Sequence, residues 1–352
     1  MPPSPSASLS PPPPLLLHWL LDTRPLYPAA HQTADLATHA ARALALLAPA
    51  ERAAVLRFVR PADAKMSLAS HLLKRYAVAR HVAGVSWARA SPARDARTKP
   101  VFVSPPAAAG VAFNVSHQAG VVVLAGVVVA PPPAGADDGA LPSVQDDVDV
   151  GVDVVSPTER RHRDRAMVAA DGWPAFVDMH ADVFAPAEAA YLKWAVLGAA
   201  APGELAGGGG GGGGGAAGGD VLDYKLRAFY TLWCLREAYV KMTGEALLAE
   251  WLGVLEFRGF RPPPPPPLLA AGRGGDTGDR MRQGKAVTTH DILFRGEKVQ
   301  DANVCIRTVG EDYMVCTAVR TPGRPEIGLA MELGEFEFLD LEDILSFAES
   351  QV

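Results

Sequence analysis

The stretch from Tyr224 to Leu247 reads YKLRAFYTLWCLREAYVKMTGEAL. Its apolar residues recur at helical spacing and predict an amphipathic helix with one buried face. They are Leu226, Phe229, Tyr230, Trp233 and Val240. Glu237 lies four residues after Trp233 and four before Lys241, so a carboxylate and an ammonium share one stripe of this helix. The same pair could be an ordinary surface ion pair or part of a functional site, and other parts of the chain decide between these interpretations.

The bulk composition indicates a globular chain that is large enough for a substantial core. At 352 residues we expect about two domains. The net charge of -6 argues against a general nucleic-acid binder, which needs many Lys and Arg residues on one face. Three cysteines are too few for a disulfide framework. The N-terminus has neither a basic start nor an apolar run that could span a bilayer. We therefore expect a cytoplasmic protein of a reducing compartment, without a membrane or nucleic-acid partner.

Proline and glycine runs divide the chain. Long Pro-rich or Gly-rich stretches cannot form a packed element and predict tethers or linkers. The predicted parts are a disordered leader at 1–14, an N-terminal subdomain at 15–130, a linker at 131–147, and a C-terminal subdomain at 148–352 with flexible inserts at about 201–220 and 261–285.

Periodicity predicts the main elements on either side of the linker. A helix interrupted by Pro49 covers 33–60, and a second helix runs from Asp63 to about Val82. The run VVVLAGVVVA after Gly120 is typical of a buried strand, and a helix enters through Pro186. Further strands are predicted at VFV after Pro100, at VLEFRGF after Gly253, and near 290–295, 302–308 and 312–319.

Polar residues gather at three places beside these elements. The segment FNVSHQAG, from Phe113 to Gly120, places Asn, Ser, His and Gln directly before the buried strand. In VDVGVDVV, Asp149 and Asp153 share one face of a strand, which predicts either a metal site or a solvent face. Ser156 or Thr158 is a candidate cap for a helix that carries Arg160, Arg161, Arg163 and Arg165, either a solvated surface or a docking surface for an acidic partner.

Three of these motifs occur in a fixed order: FNVSHQAG, GVDVV and WCLREAYVKMTGEAL. Together they resemble the 4'-phosphopantetheinyl transferase superfamily, of the large Sfp-type, and most closely its broad-range fungal and animal members. The chain has no P-loop, HExxH or GxSxG motif that would indicate another chemistry. The resemblance covers about residues 60–255 and implies an α+β fold of two tandem, similar subdomains related by a pseudo-twofold.

The resemblance also implies an activity, a cofactor and partners. Members of the family transfer the 4'-phosphopantetheine arm from coenzyme A to a serine of an apo acyl or peptidyl carrier domain, with Mg²⁺, and release 3',5'-ADP. The carriers belong to fatty-acid, polyketide, nonribosomal-peptide or aminoadipate-reductase (lysine biosynthesis) systems. We expect a monomer.

Site roles follow from the resemblance position by position. Glu237 and Lys241 are the implied catalytic residues, and Asp153, Glu237 and Gln118 are the implied metal ligands. The residues implied to bind coenzyme A are Lys65, Arg75, Arg94, Lys99, Pro100, Asn114, Ser116 and His117.

The chain departs from the family pattern at a few positions. Val155 stands where bacterial members have a second acid, and Gln118 is the expected substitute ligand. Arg236 replaces a lysine, which keeps the charge and changes its geometry. Ala246 replaces a glycine. Two alternatives stay open: a non-catalytic coenzyme A or carrier-binding protein with a degraded metal site, and a different phosphoryl-transferring enzyme on the same scaffold.

Overall fold

The computed structural model describes residues 14–95, 99–103, 110–129, 148–199, 216–245, 251–266 and 281–351. Its strands are β1 Leu15–Asp22, β2 Ala93–Arg94, β3 Pro100–Val101, β4 Gly110–Gln118, β5 Val121–Val129, β6 Asp149–Val155, β7 Leu255–Arg258, β8 Asp291–Phe294, β9 Glu297–Lys298, β10 Ala302–Val309, β11 Tyr313–Arg320 and β12 Glu337–Phe338. Its helices are α1 Leu36–His39, α2 Ala41–Ala45, α3 Pro49–Leu56, α4 Pro61–His81, α5 Arg161–Asp171, α6 Trp173–Asp178, α7 Pro186–Ala190, α8 Ala216–Thr243, α9 Pro325–Ala330 and α10 Leu341–Glu349. The predicted α+β class is confirmed.

The two long helices agree with the periodicity. Helix α4 begins with Pro61 in its first turn, where the missing N–H costs nothing. Helix α8 begins earlier than its apolar pattern indicated and ends at Thr243. Gly244 follows with φ +79°, a left-handed conformation that glycine adopts without a steric penalty and that commonly terminates helices.

The first sheet has the order β12-β1-β5-β4, and helix α4 packs on one face of it. Strand β5 is antiparallel to both β1 and β4. The polar segment before the buried strand is itself part of β4, and Ala119 and Gly120 form the two-residue hairpin loop. Both loop residues have positive φ, 50° and 87°, as a type I′ turn requires.

The second sheet has the order β10-β11-β6 and packs against helix α8. Its strand β6 is buried on both faces, whereas alternation alone also allowed a solvent face. The valines at 148, 150, 152 and 154 join a core shared with β5 of the first sheet. The other face, which carries Gly151 and Asp153, lies against α8. A separate small sheet has the order β7-β8-β9.

One C-terminal segment joins the N-terminal half. Strand β12 pairs in parallel with β1, with Trp19 opposite Glu337. Helix α10 contributes Ile344 and Leu345 to the core beneath α4, and Arg42 on α2 pairs with Glu349 at 2.7 Å. The apolar face of this segment is buried against the first sheet, and the predicted domain bounds stay a prediction.

The predicted flexible segments lie mostly outside the described residues: 1–13 of the leader, all of the linker at 131–147, most of the glycine insert, and 267–280 of the proline insert. The start of the proline insert is packed, contrary to our expectation. Pro262 and Pro263 are buried, and the carbonyl of Pro263 accepts hydrogen bonds from Arg227 at 3.2 Å and Thr308 at 3.1 Å. Among the described residues, no helix is both long and apolar enough to cross a membrane.

Helix α5 starts later than its candidate caps suggested. Arg160 occupies the N-cap position without a capping side chain. Ser156 and Thr158 instead hydrogen-bond to each other at 3.1 Å. Arg161 and Arg165 pair with Asp223 of α8, so two arginines of this cluster bind within the chain.

Candidate active site

Asp153 is a buried carboxylate where β4, β6 and α8 meet. It lies on the face of β6 that packs against α8, and only 5% of its surface is exposed. Its Oδ1 accepts hydrogen bonds from Ser116 Oγ at 2.8 Å and from Lys241 Nζ at 2.6 Å. Lys241 Nζ also donates to Ser116 Oγ at 3.0 Å. The three predicted site residues thus form one hydrogen-bonded cluster, drawn from three separate elements.

Glu237 lies one helical turn before Lys241 on α8. Burial and the nearby Asp153 charge raise the pKa of Glu237 to about 7, against the opposing charge of Lys241. Burial is the largest single influence on the pKa of Lys241 and would lower it, but the charge of Asp153, its hydrogen bond and the charge of Glu237 together raise that pKa. Two carboxylates share one lysine here, which leaves a surplus of negative charge.

The strand β4 connects this cluster to the other half of the chain. Asn114 and Ser116 alternate with residues that face away, and both are buried. The Asn114 side-chain oxygen accepts from the Val152 amide, and Ser116 Oγ accepts from the Val154 amide, each at 3.4 Å. These contacts join β4 to β6, so Asn114 and Ser116 also hold the two sheets together.

A cleft of about 620 Å³ extends from Glu237 and Lys241 to helix α4 and the β2–β3 hairpin. Its basic lining residues are His71, Lys74, Arg94, Lys99, His117 and Lys241. Desolvation and the charges of Lys241 and Lys74 lower the pKa of His117. Pro100 and Asn114 also line the cleft. A concave site with this many cations is suited to a ligand that carries several phosphates.

Lys99 is held at the wall of the cleft by two acceptors. Its Nζ donates to Asp149 Oδ1 at 2.9 Å and to the carbonyl of Met242 at the end of α8, at 2.7 Å. The other oxygen of Asp149 accepts from Arg320 Nε at 2.9 Å. The predicted pair of aspartates on β6 thus separates into two roles, with Asp149 on Lys99 and Asp153 on Lys241.

Three of the predicted coenzyme-binding residues lie outside the lining of this cleft: Ser116, which bonds to Asp153, and Arg75 and Lys65. Arg75 is buried and donates to Glu51 through Nε at 3.0 Å and Nη2 at 2.7 Å, and to the Trp87 carbonyl at 2.9 Å. Lys65, on the same helix, does not line the cleft either. Their assignment as phosphate contacts stays a prediction that this placement does not favour.

Gln118 ends strand β4 beside a second, smaller cavity. It lines a space of about 180 Å³ with Val155, Arg160 and Trp233. Its Nε2 donates to Glu159 at 2.6 Å. No group of three or more His, Cys, Asp or Glu residues forms a metal-binding cluster within the described part of the chain. The ligand set Asp153, Glu237 and Gln118, which contains only two such residues, stays a prediction.

Family models and relatives match both halves of the chain. Residues 36–129 match the model "4'-phosphopantetheinyl transferase, N-terminal", and residues 149–279 match "4'-phosphopantetheinyl transferase superfamily". The chain is 43% identical over 336 residues to 4'-phosphopantetheinyl transferase 1 of Fusarium mangiferae, covering 96% of each chain. It is 32% identical to 4'-phosphopantetheinyl transferase NpgA of Emericella nidulans, covering 90% of this chain and 85% of the relative.

The chain belongs to the 4'-phosphopantetheinyl transferase superfamily. This confirms the resemblance that the three motifs indicated, and this phosphopantetheinyl transferase is an enzyme. A relative from Aureobasidium melanogenum, also named 4'-phosphopantetheinyl transferase, is 35% identical over 357 residues.

Sequence reasoning missed the partner of Arg236. This arginine is fully buried and pairs with the fully buried Glu188 at 2.7 Å. Its guanidinium also donates to the carbonyls of Leu252 and Leu255. One signal was available for Glu188 itself. It is the third residue of a helix that begins at Pro186, and a Glu at this position often accepts a hydrogen bond from the N-cap backbone amide. Its bond across the core to α8 had no local signal.

Gly151 explains the glycine of the GVDVV motif in this transferase. A Cβ at this position would lie 2.0 Å from the Ala238 carbonyl oxygen and 2.4 Å from the Met242 amide nitrogen. Both obstacles are backbone atoms of α8, so the strand and the helix would have to separate. The glycine permits the close approach that brings Asp153 to Lys241.

We expect Gly151→Ala to lower the free energy of unfolding by about 1–3 kcal/mol, as overpacking does, and to lower transferase activity through displacement of Asp153. Urea unfolding and a transfer assay measure the two effects. Gly198→Ala is the control, because its added Cβ would meet nothing within 4 Å. Equal behaviour of the two variants would show that β6 and α8 do not need this contact.

Proposed function

We propose that this transferase moves 4'-phosphopantetheine from coenzyme A to a serine of apo acyl or peptidyl carrier domains, with Mg²⁺, and releases 3',5'-ADP. The observation that carries the proposal is the cluster of Asp153, Ser116 and Lys241 beside Glu237, at one end of a cleft lined with cations. A pyrophosphate donor needs this combination of a base, cations and a place for a divalent ion.

In the proposed reaction, Glu237, or a water that it holds, accepts the proton of the carrier serine. The serine oxygen forms a bond to the β-phosphorus of coenzyme A, and the bond from that phosphorus to the bridging oxygen breaks. The electron pair leaves with 3',5'-ADP. Lys241 lies one turn from Glu237 and would stabilise the phosphate oxygens as they gain charge. His117, Arg94 and Lys99 would bind the other phosphate oxygens from the cleft wall.

The residues present fit a magnesium ion. Asp153 and Glu237 place two carboxylates near one lysine, and the charge of Asp153 helps to raise the pKa of Glu237. A hard divalent cation would balance that surplus, and Mg²⁺ typically takes only one or two carboxylates and completes its shell with water and phosphate oxygens. Asp153, Glu237 and the amide oxygen of Gln118 would hold it. When bound, the ion polarises the pyrophosphate and neutralises charge on the leaving group.

The proposed substrates and setting follow the family. Carrier domains of fatty-acid, polyketide, nonribosomal-peptide or aminoadipate-reductase systems would accept the arm, in the cytoplasm, from a monomeric enzyme. The net charge of -6 supports neither a nucleic-acid nor an anionic-membrane partner.

Purified protein incubated with coenzyme A, Mg²⁺ and an apo-carrier domain should increase the carrier mass by one phosphopantetheine arm, with one 3',5'-ADP released per arm. A carrier whose acceptor serine is replaced by alanine is the control. Release of 3',5'-ADP excludes a generic phosphotransferase. An unchanged carrier mass across carriers from all four systems would contradict the proposal.

A further inference from the structure

Arg320 is a charged residue that none of the three motifs contains, and it is connected to the cleft through Asp149. It ends strand β11, directly opposite Asp149 at the start of β6. Its Nε donates to Asp149 Oδ2 at 2.9 Å, while Oδ1 of the same carboxylate accepts from Lys99 Nζ, also at 2.9 Å. Each oxygen of Asp149 therefore binds one cation. Of these three side chains, only that of Lys99 lines the cleft.

Arg320 and Asp149 alone would be an ordinary cross-strand ion pair. Opposite charges on facing residues of antiparallel strands are common and stabilise a sheet only slightly. This pair differs in two respects. Its carboxylate also binds a lysine of the cleft wall, and the three side chains are only 15% to 25% exposed. Salt and water screen partly buried charges less than exposed ones, so the charge of Arg320 influences Asp149 and Lys99 strongly.

Two acceptors fix the orientation of Lys99. Its Nζ binds Asp149 and, at 2.7 Å, the carbonyl of Met242 in the last turn of α8. An ammonium has three N–H donors, so one remains beyond these two acceptors, which are the ones that the described residues provide. A free lysine side chain has many rotamers, and the two contacts select one of them before a ligand binds.

The balance of charge gives Arg320 its importance. Lys99 and Asp149 by themselves would form a neutral pair, which attracts phosphate weakly. Without Arg320, both oxygens of Asp149 would be available to Lys99, and the carboxylate would also repel an anion in the cleft. With Arg320, two cations share one carboxylate, and a net positive charge remains at the cleft wall.

We propose that Arg320 is a positioning residue: through Asp149 it holds Lys99 in place and preserves the positive charge that Lys99 presents to the donor phosphates. The inference rests on the proposed function, since it takes coenzyme A as the donor and Lys99 as a phosphate contact. Arg320 itself does not line the cleft. We therefore expect its effect in the KM for coenzyme A and not in turnover at saturating donor.

The test compares wild type with Arg320→Met, Arg320→Lys and the double variant Arg320→Met/Asp149→Asn. Arg320→Met should raise the KM for coenzyme A about 10-fold, as expected for one partly screened charge, with kcat changed less than about twofold. The double variant should return KM to within about threefold of wild type, because the asparagine oxygen still accepts from Lys99 and no carboxylate neutralises it. Arg320→Lys should retain most of the affinity.

The double variant separates positioning from damage to the sheet. If Arg320 only joined β11 to β6, removal of Asp149 as well would leave the enzyme at least as impaired as Arg320→Met. Lys298→Met is the control, because it removes the cation of an exposed pair with Asp291, at 2.6 Å and outside the cleft. It should leave the KM unchanged.

Calorimetric titration with coenzyme A, without a carrier, repeats the comparison independently of turnover, and circular dichroism checks the fold of each variant. In a Lys99→Met background, Arg320→Met should weaken binding by no more than about twofold, because Arg320 acts through Lys99. Unchanged binding in Arg320→Met, no recovery in the double variant, or an equal loss in the Lys99→Met background would each overturn the inference. The expected binding pattern without carrier modification by wild type would instead reject only the proposed transfer reaction.

Discussion

Glu237→Gln is expected to lower kcat/KM for carrier modification by roughly 10²- to 10⁴-fold, the usual contribution of a general base. Glutamine keeps the size of the side chain and removes its ability to accept a proton. It also removes one of the two carboxylates proposed to hold Mg²⁺. The measurement is the initial rate of carrier modification at several coenzyme A concentrations. Near wild-type rates in this variant would place the base elsewhere.

The same substitution should not destabilise the metal-free protein, which separates a catalytic role from a structural one. Glu237 has a pKa of about 7 in the folded chain, raised from 4.5. The folded state therefore binds more protons than the unfolded state between these values, and stability falls as pH rises from 4.5 to 7. Glu237→Gln lacks this contribution, so urea unfolding in chelator should show a weaker decline over that range. A strongly destabilised variant at pH 7 would contradict this account.

Glu188→Ala is expected to destabilise the protein by about 3–5 kcal/mol, because it leaves the Arg236 charge buried without a partner. Glu188 accepts from Arg236 at 2.7 Å and from the Phe257 amide at 2.7 Å, and both charged side chains are fully buried. Burial raises the pKa of Glu188 and lowers that of Arg236, so desolvation has the larger effect on each. Burying both charges costs free energy, and burying the Arg236 charge without Glu188 would cost more.

Glu256→Ala is the matched control for this prediction. Glu256 lies on β7, next to the strand residue that Glu188 contacts, and pairs with Arg258 at 2.7 Å. The Arg258 side chain is 59% exposed, and exposed pairs contribute about 0–1 kcal/mol. Thermal and urea unfolding should separate the two variants clearly. Similar small losses in both would mean that water reaches Arg236 when Glu188 is removed.

The spacing of apolar residues correctly predicted those helices and strands whose pattern lies within a single stretch of sequence. Helix α4, helix α8 and strand β5 follow from apolar spacing alone. The burial of Asp153 could not be predicted in this way, because a period of two shows that a strand has two different faces and not what covers them. Here α8 covers one face and the first sheet covers the other. Both contacts join residues far apart in the chain.

The prediction of site residues from sequence motifs has the same limit, because it cannot include contacts between distant parts of the chain. The motifs identified Asp153, Glu237, Lys241 and Ser116, which the fold brings together. They could not distinguish Arg75 from Lys74, because the choice depends on Glu51, which lies 24 residues earlier and binds Arg75. A one-residue shift on a helix exchanges a buried side chain for one that lines the cleft.

The parallel pairing of β12 with β1 has a consequence during translation. The ribosome synthesises β1 roughly 300 residues before its partner strand, so a nascent N-terminal half exposes an unpaired strand edge and an uncovered apolar surface beside α4 until α10 emerges. Such intermediates aggregate readily, and chaperones commonly protect them. Yield of this enzyme in a heterologous host should therefore depend on chaperone supply and growth temperature more than on the stability of the finished fold.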